Sequence, residues 1–255
     1  MRKIISLFMF PWMMISCGLE QTLSAPMKII GENDLKPVAK DALNLPENLR
    51  SLVGAFGMLE VGCTVTHIGD GLVLTAGHCV PQEKPPMGEC LAKKFPKMTV
   101  RWNYLEGDAQ TSESTCVKLV ATELSQSLDF AILEVDNPPK VKLDVELNQR
   151  SLPGSQITIF GYPRKRPLEW SGFCIVAVLP ADKFNDVSEE NRKHIFAHQC
   201  DTEQGQSGAA LIDTKTLEVI GVHHGGIEPW NTATWTPASG VAKAIKTARE
   251  RLNRR

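Results

Sequence analysis

The chain lacks an excess of either charge: 28 Lys and Arg stand against 29 Asp and Glu, a formal net charge of -1. That balance leaves no electrostatic footprint for nucleic acid, and no such partner is expected. There is no internal repeat and no low-complexity tract, which excludes a repeat array. The N-terminal apolar run, "IISLFMFPWMMIS", falls short of the roughly 20 residues that a comfortable membrane span needs. Helical periodicity is missing from residue 51 almost to the end. It emerges only at the C-terminus, where Val241, Ile245, Ala248 and Leu252 share one stripe. Lys243, Lys246, Arg249, Arg251, Arg254 and Arg255 form the solvated face of that helix.

What is present is a succession of short apolar runs cut by turns. "LVGAFGML", "GCTVTHI", "GLVLTAGH", "MTVRWNYL", "CVKLVATEL" and "FAILEV" form one group. After the Pro-rich break "VDNPPKVKLD" come "SQITIFGYP", "GFCIVAVLP", "HIFAHQC", "AALID", "LEVIGVHHGG" and "ATWTPAS". Many short strands without intervening helices indicate an all-β fold. The expectation is two six-stranded antiparallel β-barrels, over residues 51–140 and 141–237, with a C-terminal α-helix over 238–255. The chain of 255 residues is long enough for both cores.

The N-terminus carries Arg2 and Lys3 before the apolar run, the pattern of a signal peptide over residues 1–16. The run stops at Cys17, and "MISCG" resembles the lipobox of bacterial lipoproteins, in which the cysteine is lipidated. That makes Cys17 a candidate membrane tether at the cell envelope. The alternative is that Cys17 leaves with the signal and the protein is secreted. Residues 17–50, polar and rich in Pro and Asn, are expected to be a tether or pro-segment. Of seven cysteines, six remain once Cys17 is set aside: Cys63, Cys79, Cys90, Cys116, Cys174 and Cys200. An even number in an exported chain suggests three disulfides.

"CDTEQGQSGAAL", residues 200–211, places Ser207 in a Gly-rich turn. A serine hydroxyl is a weak nucleophile until a base takes its proton. Among six histidines, His78 in "LTAGHC" follows an apolar strand, and Asp129 in "SLDFAILEV" opens one. A carboxylate at the entrance of a buried strand needs a hydrogen-bond partner, which an imidazole N–H supplies. "LTAGHC", "DFAIL" and "GQSGAAL", in that order, resemble the active-site motifs of the trypsin-like serine peptidases of chymotrypsin fold. The order His, Asp, Ser is the family's own. The resemblance implies a serine endopeptidase acting on proteins or peptides, monomeric and without metal or cofactor. Ser207 would be the nucleophile, His78 the base, Asp129 the orienting acid, and the N–H groups of Gly205 and Ser207 the oxyanion hole. It also implies a Cys63–Cys79 disulfide. Pairing Cys90 with Cys116 and Cys174 with Cys200 follows by exclusion.

Two departures from trypsin bear on activation and on specificity. Gln206 stands where trypsin has the aspartate that binds a new N-terminal amine, and no "IVGG"-like start is present. The second half is similar to the bacterial glutamyl endopeptidases in "ITIFGYP", in "DT" before the serine and in "GVHHGG" after it. That likeness makes Thr202 and His223 candidate ligands of a substrate glutamate, with the Gly225 strand pairing the substrate backbone. Asp201 matches the aspartate at the base of trypsin's pocket and would favour Lys or Arg if it faced the substrate. Preference for Glu, for basic residues or for many residues therefore remains open, as does a catalytically silent binding protein on the same fold. His194, His198 and Cys200 have metal-ligand spacing on a helix, but "HIFAHQC" has the texture of a strand, so no metal is expected.

Overall fold

The computed structural model describes residues 27–80, 90, 98–108, 110–125 and 127–254. The expected signal peptide and Cys17 lie outside the described residues. In chain order the elements are β1 (Lys36–Pro37), α1 (Glu47–Arg50), β2 (Phe56–Leu59), β3 (Thr64–His67), β4 (Leu72–Thr75), β5 (Thr99–Trp102), β6 (Ser112–Leu124) and β7 (Asp129–Val135). There follow β8 (Gln156–Gly161), β9 (Glu169–Ala177), α2 (Glu189–Arg192), β10 (Ile195–His198), β11 (Ala210–Asp213), β12 (Val219–Ile227), β13 (Trp230–Trp235) and α3 (Ser239–Leu252). Strands β2, β3, β4, β7, β6 and β5 close into one antiparallel barrel. Strands β9, β10, β13, β12, β11 and β8 close into a second through the β8–β9 pairing. The two six-stranded barrels and the final helix agree with the expectation from the strand-sized apolar runs.

The runs form strands because their side chains are wanted on both sides of the barrel wall. In β7, "DFAILEV", every residue but Glu134 is buried. A continuous apolar run of that length, bounded by turns, suits a strand with no solvated face. The barrels meet through aromatic side chains. Phe56 of β2 stacks on Phe160 of β8 with ring centroids 4.8 Å apart. Fully buried Tyr162 donates its hydroxyl to the Phe56 carbonyl at 3.0 Å. Burial raises the Tyr162 pKa further, so the phenol stays a donor.

α3 buries Val241, Ile245 and Ala248 and half-buries Leu252, the stripe read from the sequence. It returns to the first barrel, where Arg251 pairs with Glu134 at 2.9 Å and Arg249 donates to the Ile68 carbonyl at 3.0 Å. Part of the basic run is thus bonded to the barrel rather than solvated.

Residues 27–50, within the stretch expected to be a tether or pro-segment, pack on both barrels. Val38 and Leu49 are fully buried. β1 adds to β9 of the second barrel, and the Val38 carbonyl accepts from Glu106 N of the first at 3.2 Å.

All three cysteine pairs are bridged: Cys63–Cys79, Cys90–Cys116 and Cys174–Cys200. The first closes a loop of sequence separation 16 around His78. Replacing both its cysteines by Ala should lower the unfolding free energy by about 3 kcal/mol in a denaturant titration. An unchanged midpoint would show that the bridge does not constrain the unfolded chain.

Candidate functional site

The cleft between the barrels gathers side chains from both. His78 lies on a single 3-10 turn, Gly77–Cys79, at the end of β4. Asp129 is the first residue of β7, and its backbone N–H donates to Thr234 Oγ1 of β13 at 3.1 Å. Ser207 occupies the turn that leads into β11. His78 Nδ1 lies 2.7 Å from Asp129 Oδ2, and the His78 backbone N–H donates to Asp129 Oδ1 at 3.0 Å. His78 Nε2 lies 2.7 Å from Ser207 Oγ. Asp129 is 8 % exposed and Ser207 6 %. Burial pushes the Asp129 carboxyl up, but the His78 ring hydrogen bond, the His224 and His78 charges and the His78 N–H outweigh it. The carboxyl is held below the usual range and stays ionised at neutral pH.

The serine turn is built on two glycines that could not carry a side chain. Gly205 has φ +103°, and a Cβ there would lie 2.5 Å from the Tyr162 carbonyl. Gly208 has φ +84°, and its Cβ would lie 2.1 Å from Thr75 Oγ1. Both facts require glycine. The turn is also bonded across the seam. Thr64 of β3 donates its hydroxyl to the Gly205 carbonyl at 2.9 Å and its N–H to the Ser207 carbonyl at 2.8 Å. Gln206 is fully buried, and its Oε1 accepts from Glu203 N at 2.8 Å. Arg164 N donates to the Gln204 carbonyl, and the Arg164 and Arg166 guanidinium groups pair with Glu203 at 3.1 and 2.9 Å. The turn is therefore held both by its own Gln206 and by groups of the first barrel and of the loop after β8. The N–H groups of Gly205 and Ser207 donate to no acceptor among the described residues.

β12 runs beside this turn: Gly208 N donates to the His223 carbonyl and His223 N to the Ala209 carbonyl. Gly225 follows at a bulge opposite Thr232. The His223 ring is fully buried, with Nδ1 3.1 Å from Nε2 of buried His198 on β10. His223 Nε2 and the buried Thr202 hydroxyl have no hydrogen-bond partner among the described residues. Asp201, one residue away, is 3 % exposed. Its Oδ1 accepts from Ile30 N and its Oδ2 from Asp34 N, both at 2.7 Å. Burial raises the Asp201 pKa, and the two N–H donors offset this only in part.

His198 is the partner that sequence reasoning missed. "HIFAHQC" supplies strand β10 as expected, Cys200 is bridged to Cys174, and His198 meets His223. The position of His198 on a wholly buried strand is the available signal. Thr234 and Thr64 carry no sequence signature of their roles at the cleft.

Burial pushes His198 down to about 3, the His224 charge adding to the effect, and holds His223 well below its ordinary value. Both rings are therefore neutral when folded and gain protons when unfolded below pH 6.5. The stability they contribute is complete above that pH and is lost as the pH falls toward the folded values. Denaturant titrations down to about pH 4 should show stability falling in acid by roughly 1 kcal/mol per pH unit or more. His198→Asn should flatten that slope, and an unaltered slope would refute the neutral pair.

The chain matches the family model described as a trypsin-like peptidase domain over residues 62–222. It is 26 % identical over 181 residues to human serine protease 23, covering 60 % of this chain and 43 % of that protein. The mouse protein of the same name is likewise 26 % identical over 181 residues, with the same two coverages. The chain thus spans less than half the length of these relatives. Among solved structures, a Glu endopeptidase superposes with a TM-score of 0.62 at 20 % identity, over 88 % of this chain and all of that one. A serine endoprotease from Yersinia pestis superposes with 0.53 at 17 % identity, over 81 % of this chain and 65 % of that one. These structures share the fold. The family match, over more than half the residues and across both barrels, shows that the chain belongs to the trypsin-like peptidase family.

Proposed function

We propose that the chain is a serine endopeptidase that cleaves peptide bonds through Ser207, His78 and Asp129. The observation that carries this is the unbroken line Ser207 Oγ, His78 Nε2, His78 Nδ1, Asp129 Oδ2, with 2.7 Å at each gap. Ser207 Oγ attacks the scissile carbonyl while its proton passes to His78 Nε2. Asp129 accepts the Nδ1–H, fixes the tautomer and stabilises the imidazolium. The developing oxyanion accepts from the N–H groups of Gly205 and Ser207, a donor pair in which each member typically contributes ~3–4 kcal/mol. The amine leaves with the proton from His78. Water, deprotonated by the same ring, then attacks the acyl-enzyme and releases the acid.

The preferred residue on the acyl side is glutamate. Its carboxylate would take donors from the Thr202 hydroxyl and His223 Nε2, two buried polar atoms that have no partner among the described residues. His198, bonded to the far side of the His223 ring, orients it. The Gly225 backbone would pair with the substrate as an added strand. The three disulfides favour an oxidising compartment. This accords with residues 1–16 as a signal and Cys17 as a lipid anchor. Mass spectrometry of the mature N-terminus tests the anchor: a diacylglyceryl-modified Cys17 supports it, and an unmodified start further along contradicts it.

Digestion of a mixed peptide library should yield cuts enriched after Glu, and Ser207→Ala should yield none. A folded wild-type protein that leaves the library intact would favour a binding scaffold instead. His223→Ala should lower kcat/KM for glutamyl substrates by about tenfold to a hundredfold more than for others, since a buried carboxylate left short of a donor costs about 1–3 kcal/mol. Equal losses on all substrates would make His223 structural.

A further inference from the structure

We propose that residues 28–34 form a strap that occupies the Asp201 carboxylate and so keeps the neighbouring pocket receptive to an anionic side chain. This rests on the peptidase reading above and names what sets its specificity. A carboxylate that is 3 % exposed needs hydrogen-bond donors. Asp201 finds them in the backbone of the strap: Ile30 N on one oxygen and Asp34 N on the other.

The strap is clamped a second time by Asn231, which is fully buried. Asn231 Oδ1 accepts from Lys28 N at 3.0 Å, and its Nδ2 donates to the carbonyls of Lys28 and Cys200 at 2.8 Å each. Thr202 N donates to the same Lys28 carbonyl at 3.0 Å. The strap therefore binds both Asp201 and Thr202, the two residues that compete for the pocket in the sequence. Asn231 pairs with His198 on β10 and with Gly226 on β12, so the strap sits at the barrel end that carries His198, His223 and Gly225. Its far end continues into β1 on β9.

The electrostatic consequence is direct. A carboxylate released one residue from Thr202 would repel a substrate carboxylate and attract an ammonium or guanidinium group. With both oxygens engaged by backbone N–H groups, that charge is held on the strap. The same sequence thus contains the elements of two opposite preferences, and the strap selects between them.

The test uses the full chain. Ile30→Pro with Asp34→Pro deletes the two N–H donors. The kcat/KM ratio of lysyl to glutamyl peptides should rise by about tenfold or more. Adding Asp201→Asn should reverse the rise. If the double-proline chain does not fold, Asn231→Ala, which unhooks Lys28, should move the ratio in the same direction. An unchanged ratio in a folded variant that still reacts with a fluorophosphonate probe overturns the strap and leaves the peptidase reading intact. So does a rise that Asp201→Asn fails to reverse. A wild-type protein that neither reacts with the probe nor cleaves peptides overturns the peptidase reading itself, and the strap with it.

Discussion

The hydrogen bond on which the site depends spans the cleft between the two barrels, Ser207 Oγ donating to His78 Nε2 at 2.7 Å. Its two ends belong to separately closed sheets, so its length is set by how those sheets are joined. A shift of one ångström at the seam would break it and would cost far more in rate than in stability. The seam is accordingly built from short, directional contacts. Thr64 bonds to both Gly205 and Ser207, Tyr162 to Phe56, and Phe56 stacks on Phe160. α3, leaving the second barrel and docking on the first, ties the two from outside.

Among the described residues, the serine turn takes its partners from its own amide side chain and from neighbouring loops. Gln206 closes it on itself through Glu203 N, and two arginines on the loop after β8 hold Glu203 from the other side. This is consistent with the absence of an aspartate beside Ser207. The N-terminal stretch contributes elsewhere, by engaging Asp201 and Asn231 with backbone groups. The serine turn and the Asp201 carboxylate thus take their partners from different parts of the chain.

The barrels were legible because strand-sized apolar runs and their turns are local signals. "DFAILEV" reads as a buried strand without knowledge of its neighbours, and α3 announces itself by period. His78, Asp129 and Ser207 were legible because each sits in a motif with a resemblance, and the structure brings the three together. Asp201 and Thr202 were not separable. Their difference depends on where residues 28–34 run, and such a contact, some 170 residues away in sequence, leaves no periodicity or spacing behind. His198 was legible as a strand residue but not as the partner of His223, since cross-sheet pairing fixes which rings meet. The burial of Val38, Leu45 and Leu49 is not legible in the stretch expected to be a tether or pro-segment, because its polar composition hides three apolar side chains widely spaced in the sequence.

The measurement that bears most directly on the account is peptide mapping of the adduct formed with a fluorophosphonate. The expected result is one stoichiometric adduct, on Ser207, that His78→Ala abolishes without unfolding the protein. An adduct on another serine, or none on a folded chain with its disulfides intact, would contradict it.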